Sequence, residues 1–413
     1  THGSGLTLRS EIEAFADIGC EVEFILIRTK DEFPHSPPEC PGHFTYTVVD
    51  ARKSELPGYL RLAYWAGWPK ELALRQLYPA RKTLLREAKK RIQNDDKAIH
   101  VFHFLRAANV IPTLRTARTI WTCHEIESEY FTRNFTLDQA LEKRQPHGWE
   151  RRKLGRLSGL EREVARACGL VLCVSAADAK WMAEEWSVRR AAYFPMSIPD
   201  EDWTDTSRKN RTPGMLRLMH IGALGHLPTY TSLEFLLCRV FPLLDLHTMS
   251  GLSLEIAGSS VADNERTKAI MEMARPYPMV KFSGFVDEIS TCYRRNDLQV
   301  VASTQATGRR TRIIESWALG VPVLSTTVGA GGVEHLQPGR NILIADDPRD
   351  FARNLQELVH FPERLDEIAR AARQTYESEY GRRPVAAALR GLLNAHFGLN
   401  LQSPAPEHLQ SSP

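Results

Sequence analysis

Along this chain, apolar runs of strand length alternate with longer stretches whose apolar residues recur every three or four positions. That alternation predicts an α/β protein with parallel sheets. Strands are expected at 22–27, 44–49, 100–105, 119–123 and 170–175, and in the second half at 216–221, 252–257, 280–282, 298–302 and 321–325. Helical patterns fall between them. Leu6, Leu8, Ile12, Phe15 and Ala16 mark one near the start, a basic helix ends near Ile92, an amphipathic helix spans 154–168, and Leu233, Leu236, Leu237, Val240 and Leu244 stripe another. Further helices are expected at 263–274, 362–380 and 384–397. Asp347 before Pro348 reads as an N-cap followed by proline at the first helical position. The segment 195–214, rich in Pro, Asp, Thr, Lys and Arg, reads as the connection between domain 1–199 and domain 214–380, and the tail 398–413 is expected to be disordered.

The pattern is most specific over 298–332. Two strand-like runs flank a helix whose core face is Ile313, Ile314, Trp317 and Ala318, with Gly320 as its stop and Pro322 just beyond. Gly308 is followed by Arg309, Arg310 and Arg312 in the first turn, where the helix dipole disfavours cations unless an anion is bound there. The arginines either extend into water or pair with Glu315 one turn on, or they surround an anion such as a diphosphate. The second strand then runs into Val328, Gly329, Ala330, Gly331 and Gly332, a glycine-rich turn at the carboxyl end of a strand, which is where open α/β sheets bind ligands. Such a turn is expected to present bare backbone N–H groups. In the first half, His124, with Glu125, Glu127 and Ser128, directly follows a strand and is the best catalytic candidate there, the alternative being a histidine bonded to backbone. Cys123 and His124 are neighbours on a strand and point to opposite faces, so they do not suggest a metal site.

Composition adds bounds. A chain of 413 residues suits two α/β domains of about two hundred residues each. Net charge is +3, which gives no support to nucleic-acid binding. Seven cysteines, an odd number without a Cys-x-x-Cys pair, read as thiols in a reducing cytoplasm. No apolar run reaches the ~18 residues a membrane-spanning helix needs. Tyr59, Tyr64, Trp65, Trp68 and Tyr78 precede the basic helix and read as core, while its basic face suits, as an alternative, anionic headgroups at the inner membrane face.

The stretch 308–355, GRRTRIIESWALGVPVLSTTVGAGGVEHLQPGRNILIADDPRDFARNL, resembles the C-terminal signature of the family 4 (group 1) retaining glycosyltransferases, and weaker similarity extends over most of the chain. The resemblance implies the GT-B fold, two Rossmann-like domains facing across a cleft, with helix 384–397 crossing back onto the first. It implies metal-independent, retaining transfer of a sugar from a nucleotide-diphosphate donor, with no cofactor. A UDP- or GDP-sugar is the expected donor, and a hydroxyl of a glycan, lipid-linked or small-molecule acceptor is the expected target, as in polysaccharide or glycoconjugate biosynthesis.

Carried onto this sequence, the resemblance places the leaving diphosphate on Arg310 and Arg312, the ribose on Glu315 and the transferred sugar near His124. Backbone contacts to the donor come from Gly3, Gly5, Gly222, from Gly284, Phe285 and Val286 at the base, and from Gly329, Ala330, Gly331 and Gly332. Two features depart from the family pattern. The loop after 216–221 lacks the usual arginine and lysine, and Thr307 stands where many relatives carry a first glutamate, leaving Glu315 as the second of the pair. The strand that should precede the Gly3–Gly5 loop is also missing, which suggests truncation. Rival readings are a sugar-nucleotide epimerase of the same fold, needing acid and base groups about the sugar, and a non-catalytic sugar-nucleotide-binding scaffold.

Overall fold

A computed structural model describes residues 3–29, 44–51, 80–114, 116–142, 148–198, 214–260, 264–305 and 310–402. The chain divides into two units, one built from Ser4–Met196 with Arg382–Pro413 and the other from Ser197–Gly381. The aromatic series 59–78, Thr307, Gly308 and Arg309 lie outside the described residues.

The N-terminal unit opens with α1 (Gly3–Asp17), followed by the parallel pair β1 (Val22–Thr29) and β2 (Phe44–Ala51). Then come α2 (Arg81–Asn94), β3 (His100–His103), α3 (Phe104–Ala108), β4 (Thr119–Cys123), α4 (Glu127–Glu142), α5 (Gly148–Ala167), β5 (Leu170–Cys173), α6 (Ala176–Trp186) and β6 (Ala191–Tyr193). The last four strands form one parallel sheet in the order β3-β4-β5-β6. Its central strands, TIWTC and LVLC, are buried at every position, as continuous apolar strands are when both faces are covered. Phe102, Trp121, Val171 and Cys173 pack on one face with Leu160, Val164 and Met182. On the other face, Ile120, Leu170 and Leu172 meet Ala14, Phe15 and Ile18 of α1 and Val385, Leu389 and Leu393 of the last helix, Arg382–Phe397.

Three expectations change here. Gly3 and Gly5 belong to the first turn of α1 rather than to a loop before it, and a Cβ on Gly5 would meet nothing within 4 Å. The strand beginning at His100 stops at His103 because Phe104 takes a left-handed backbone, φ 61°, that ends the ladder and starts α3. The tail does not begin at residue 398. Leu399 and Leu401 pack on the same core as α1, and the Asn394 amide bonds both backbone groups of Leu401, so 398–402 are ordered by burial.

The C-terminal unit runs β7 (Leu216–Ile221), α7 (Leu227–Glu234), α8 (Leu246–Gly251), β8 (Leu252–Ala257), α9 (Glu265–Ala274) and β9 (Val280–Gly284). It continues with α10 (Ile289–Arg295), β10 (Leu298–Val301), α11 (Thr311–Ala318), β11 (Val323–Ser325), β12 (Leu343–Ile344), α12 (Pro348–His360) and α13 (Glu363–Thr375). Leu233, Leu236, Leu237 and Val240 form the expected buried stripe, but α7 itself ends at Glu234 and wider turns carry the rest. Asp347 caps α12 by accepting from the Arg349 N–H at 2.8 Å. All six strands are parallel, in the order β12-β11-β10-β7-β8-β9. The winding goes outward from β7 to β9 and then returns to β10 on the other side of β7. Successive connections therefore diverge at the β7–β10 junction, a switch point whose carboxyl end is left open for a ligand.

Candidate functional site

At that switch point the loops after β7, β8 and β9 are tied in series. The Gly222 N–H bonds the Ala257 carbonyl at 2.9 Å, the Leu224 N–H bonds Ser259 at 3.0 Å, and the Gly258 N–H bonds Gly284 at 2.7 Å. Gly258 has to be glycine, since a Cβ there would overlap the Gly222 carbonyl oxygen. A Cβ on Gly222 would overlap Thr229 Oγ1 and come within 3.0 and 3.1 Å of the two terminal nitrogens of Arg312. The Arg312 guanidinium, carried in the first turn of α11, is thus laid against the Gly222 backbone.

Buried His220, on β7, holds it there. His220 Nδ1 lies 3.0 Å from the Val300 carbonyl oxygen, which can only accept, so Nδ1 carries the proton and Nε2 is left as the acceptor for Arg312 Nη1 at 3.3 Å. Burial, and then the Arg312 charge, push His220 down to about 3, so the ring is neutral. Burial also disfavours the charge on Arg312. Among the described residues, no carboxylate forms an ion pair with Arg312. The guanidinium is partly desolvated, hydrogen-bonded to a neutral ring and supported by the Glu315 carboxylate only at a distance, an arrangement that an anion would complete.

Arg310 occupies the N-cap position of α11 and is 7% exposed. Ile313, Ile314, Trp317 and Ala318 form the helix's buried face, and Gly320, at φ 60°, ends it. Glu315 is 9% exposed and accepts from the Tyr293 hydroxyl at 3.2 Å, which also lies 3.2 Å from the Arg312 carbonyl oxygen. Burial, reinforced by Glu315, keeps the Tyr293 phenol protonated.

The glycine-rich turn differs from expectation. The N–H groups of Gly329, Ala330 and Gly331 are not bare: they donate to Thr326 Oγ1, the Thr326 carbonyl and the Val328 carbonyl at 2.8, 2.9 and 3.1 Å. Glycine at 329 serves close approach instead, since a Cβ would overlap the Val301 carbonyl at the end of β10. Gly332 adopts φ 76°, Gly284 adopts φ 66°, and Phe285 after it is 60% exposed, with Val286 partly covered.

In the N-terminal unit, His124 follows β4 and its ring stacks on Phe104, with centroids 4.1 Å apart and planes 10° apart. His124 Nε2 is 3.3 Å from His103 Nδ1 at the end of β3. His103 Nε2 in turn lies 3.6 Å from Oε2 of Glu11, a buried carboxyl on α1 whose Oε1 accepts from Thr122 Oγ1 at 2.9 Å. Glu11, His103, His220 and Tyr293 were not singled out from sequence. His103 and His220 stand at or next to the carboxyl ends of parallel strands, so the rule that selects His124 could have found them; no sequence signal marks Glu11 or Tyr293.

This construction, with parallel sheets and a switch-point site, is that of the GT-B glycosyltransferases. Residues 217–360 match the family model of the glycosyl transferases group 1. Among solved structures, sucrose-phosphate synthase from Thermosynechococcus elongatus superposes with a TM-score of 0.67 at 14% identity, covering 95% of this chain and 92% of that one. HepE from Anabaena, solved with UDP and glucose, gives 0.62 at 12% identity over 91% of this chain and 100% of its own. WaaG, a glycosyltransferase involved in lipopolysaccharide biosynthesis, gives 0.60 at 13% over 94% and 96%. No curated protein matches the sequence.

Proposed function

We propose that this protein is a retaining, metal-independent glycosyltransferase that moves a sugar from a nucleotide-diphosphate donor to a hydroxyl of a glycan, lipid-linked or small-molecule acceptor. The observation that carries the reading is the half-buried Arg312 guanidinium, in no ion pair with a described carboxylate and laid against Gly222 at the switch point. Breaking the bond from the anomeric carbon to phosphate puts negative charge on the departing diphosphate. A preorganised cation in a water-poor site stabilises that charge more in the transition state than in the ground state. Arg310 and the first turn of α11 add to the same field. The departing phosphate oxygen takes the acceptor's proton, so the same face of the sugar is attacked without a protein nucleophile, and His124 engages the sugar. UDP or GDP is the proposed nucleotide, and the complexes of HepE with UDP and UDP-glucose support the first. The test is turnover of UDP- and GDP-sugars with retained anomeric configuration. Release of nucleotide diphosphate supports transfer, whereas isomerised donor without release would identify an epimerase.

Glu315 is proposed to accept from the ribose hydroxyls through the carboxylate that Tyr293 orients. Glu315→Gln replaces an acceptor oxygen with a donor and is expected to weaken UDP binding by about 1–3 kcal/mol with the fold intact. Calorimetry with UDP and its 2′,3′-dideoxy analogue is the check. Wild type should prefer UDP and the variant should lose the preference; equal discrimination in both would remove the ribose role.

The reading includes peripheral contact with the cytoplasmic face of a membrane. Lys82, Arg86, Lys89 and Lys90 are exposed on α2, and no helix among the described residues is long and apolar enough to cross a bilayer. Co-sedimentation with anionic vesicles should fall when Lys82, Lys89 and Lys90 are all changed to Gln, and it should fall with salt. Equal binding to neutral vesicles would reject this contact.

A further inference from the structure

We infer that Glu11 and His103 are positioning residues whose line of polar contacts fixes the proton of His124 on Nδ1. Hydrogen bonds join Thr122 Oγ1 to Glu11 Oε1 at 2.9 Å and His103 Nδ1 to His124 Nε2 at 3.3 Å, and between them Glu11 Oε2 faces His103 Nε2 at 3.6 Å, just beyond hydrogen-bond distance. Thr122 donates to Oε1, so the free valence of a neutral Glu11 carboxyl is the O–H on Oε2, a buried atom with no hydrogen-bond partner among the described residues and with His103 Nε2 facing it. That O–H faces His103 Nε2 and makes it the acceptor. His103 then carries its proton on Nδ1 and gives it to His124 Nε2, which must be a lone pair, and the His124 proton is left on Nδ1.

The surroundings keep Glu11 neutral. Its helix neighbour Arg9 is bound to Glu13, and Arg382 on the last helix is bound to Asp17, so neither supplies a counter-charge. Burial raises the Glu11 carboxyl to about 8 and lowers His103 to about 4, which makes both groups neutral near pH 7. Phe104 supplies a second, independent sign of a built site. An aromatic residue at φ 61° is an outlier, and here the strained backbone turns the ring flat onto His124. One face of the imidazole is covered by that ring and one nitrogen is held by His103.

A His124 with its proton on Nδ1 acts through that nitrogen as a hydrogen-bond donor and not as a base. The positioning role rests on the transferase reading, while the proton arrangement does not. The test is the ring-nitrogen spectrum at pH 7 of the full chain carrying 15N-labelled histidine, with the His124 signals identified by their loss in His124→Gln. Wild type should show His124 protonated at Nδ1. Glu11→Gln should keep that tautomer, because an amide N–H in place of the Oε2 hydroxyl still donates to His103. Glu11→Leu removes the donor and should shift His124 toward the Nε2–H form. With a sugar donor, Glu11→Leu should lower kcat by at least about tenfold, as a wrong tautomer does, and leave the donor KM within about twofold.

His124 protonated at Nε2 in wild type overturns the inference, and so does a tautomer unmoved by Glu11→Leu. If Glu11→Leu does not fold, the wild-type and Glu11→Gln spectra still decide. The expected tautomer in a protein that turns over no sugar donor would leave the line of contacts standing and remove the transferase reading alone.

Discussion

Arg312→Ala is expected to weaken UDP or GDP binding at least tenfold while leaving the unliganded protein no less stable. A charge-assisted hydrogen bond to a desolvated phosphate is worth about 1.5–3 kcal/mol, and 1.4 kcal/mol is a factor of ten in affinity. The stability half follows from the partner set. A guanidinium held in an ion pair would leave a buried carboxylate behind when removed, at a cost of about 3–5 kcal/mol. Arg312 instead contacts neutral His220, with the Glu315 carboxylate acting on it only at a distance, so its removal relieves a partly desolvated charge and leaves one ring nitrogen short of a donor. Titration calorimetry gives the first quantity and urea unfolding the second. Loss of stability with affinity unchanged would show that Arg312 is structural and that the diphosphate lies elsewhere. Arg310→Ala is expected to lose affinity by a similar factor, with some loss of stability as well because its side chain is buried.

Gly258→Ala should damage binding without touching any proposed contact. The added methyl group would overlap the Gly222 carbonyl oxygen and lie 2.5 Å from its carbon, so one loop must retreat. Overpacking of this kind costs about 1–3 kcal/mol, and the loop that retreats is the one that seats Arg312. Both the urea midpoint and UDP affinity are expected to fall, the second by about tenfold or more. Gly19→Ala is the control. It has a positive φ but open space about the Cβ, so it should cost stability alone. Wild-type affinity in Gly258→Ala would mean that the stacked glycine loops do not set the site.

Five strands of the C-terminal unit were legible because each is a short, mainly apolar run bounded by turn residues, whereas the two-residue β12 was too short to mark. β7 and β8 fall on the expected limits, and α11 buries the expected face. Arg310, Arg312 and Glu315 were legible for a different reason, the misfit between cations and a helix start. What lay hidden was the partner of each group. A histidine at 220 becomes an acceptor for Arg312 through pairing across 92 residues, and Glu11 meets Thr122 across 111. Periodicity does not carry such pairings. The glycine turn misled because its composition is the same whether the N–H groups face a ligand or fold back on Thr326; only the third dimension distinguishes them. Phe104 misled in another way, since β-propensity favours an aromatic at that place and a left-handed φ at such a residue is rare.

The neutrality of His220 bears on how the protein meets changes in acidity. A ring held near 3 does not take a proton at any pH a cell maintains, and a guanidinium does not lose one. The electric field that Arg312 and His220 set up at the mouth of β7 is therefore constant over that range. Any pH dependence in nucleotide binding then has to come from the ionisation of the phosphates themselves or from groups beyond this pair, and a donor and its spent diphosphate, which titrate differently, would be told apart by acidity through the ligand's chemistry instead of the protein's.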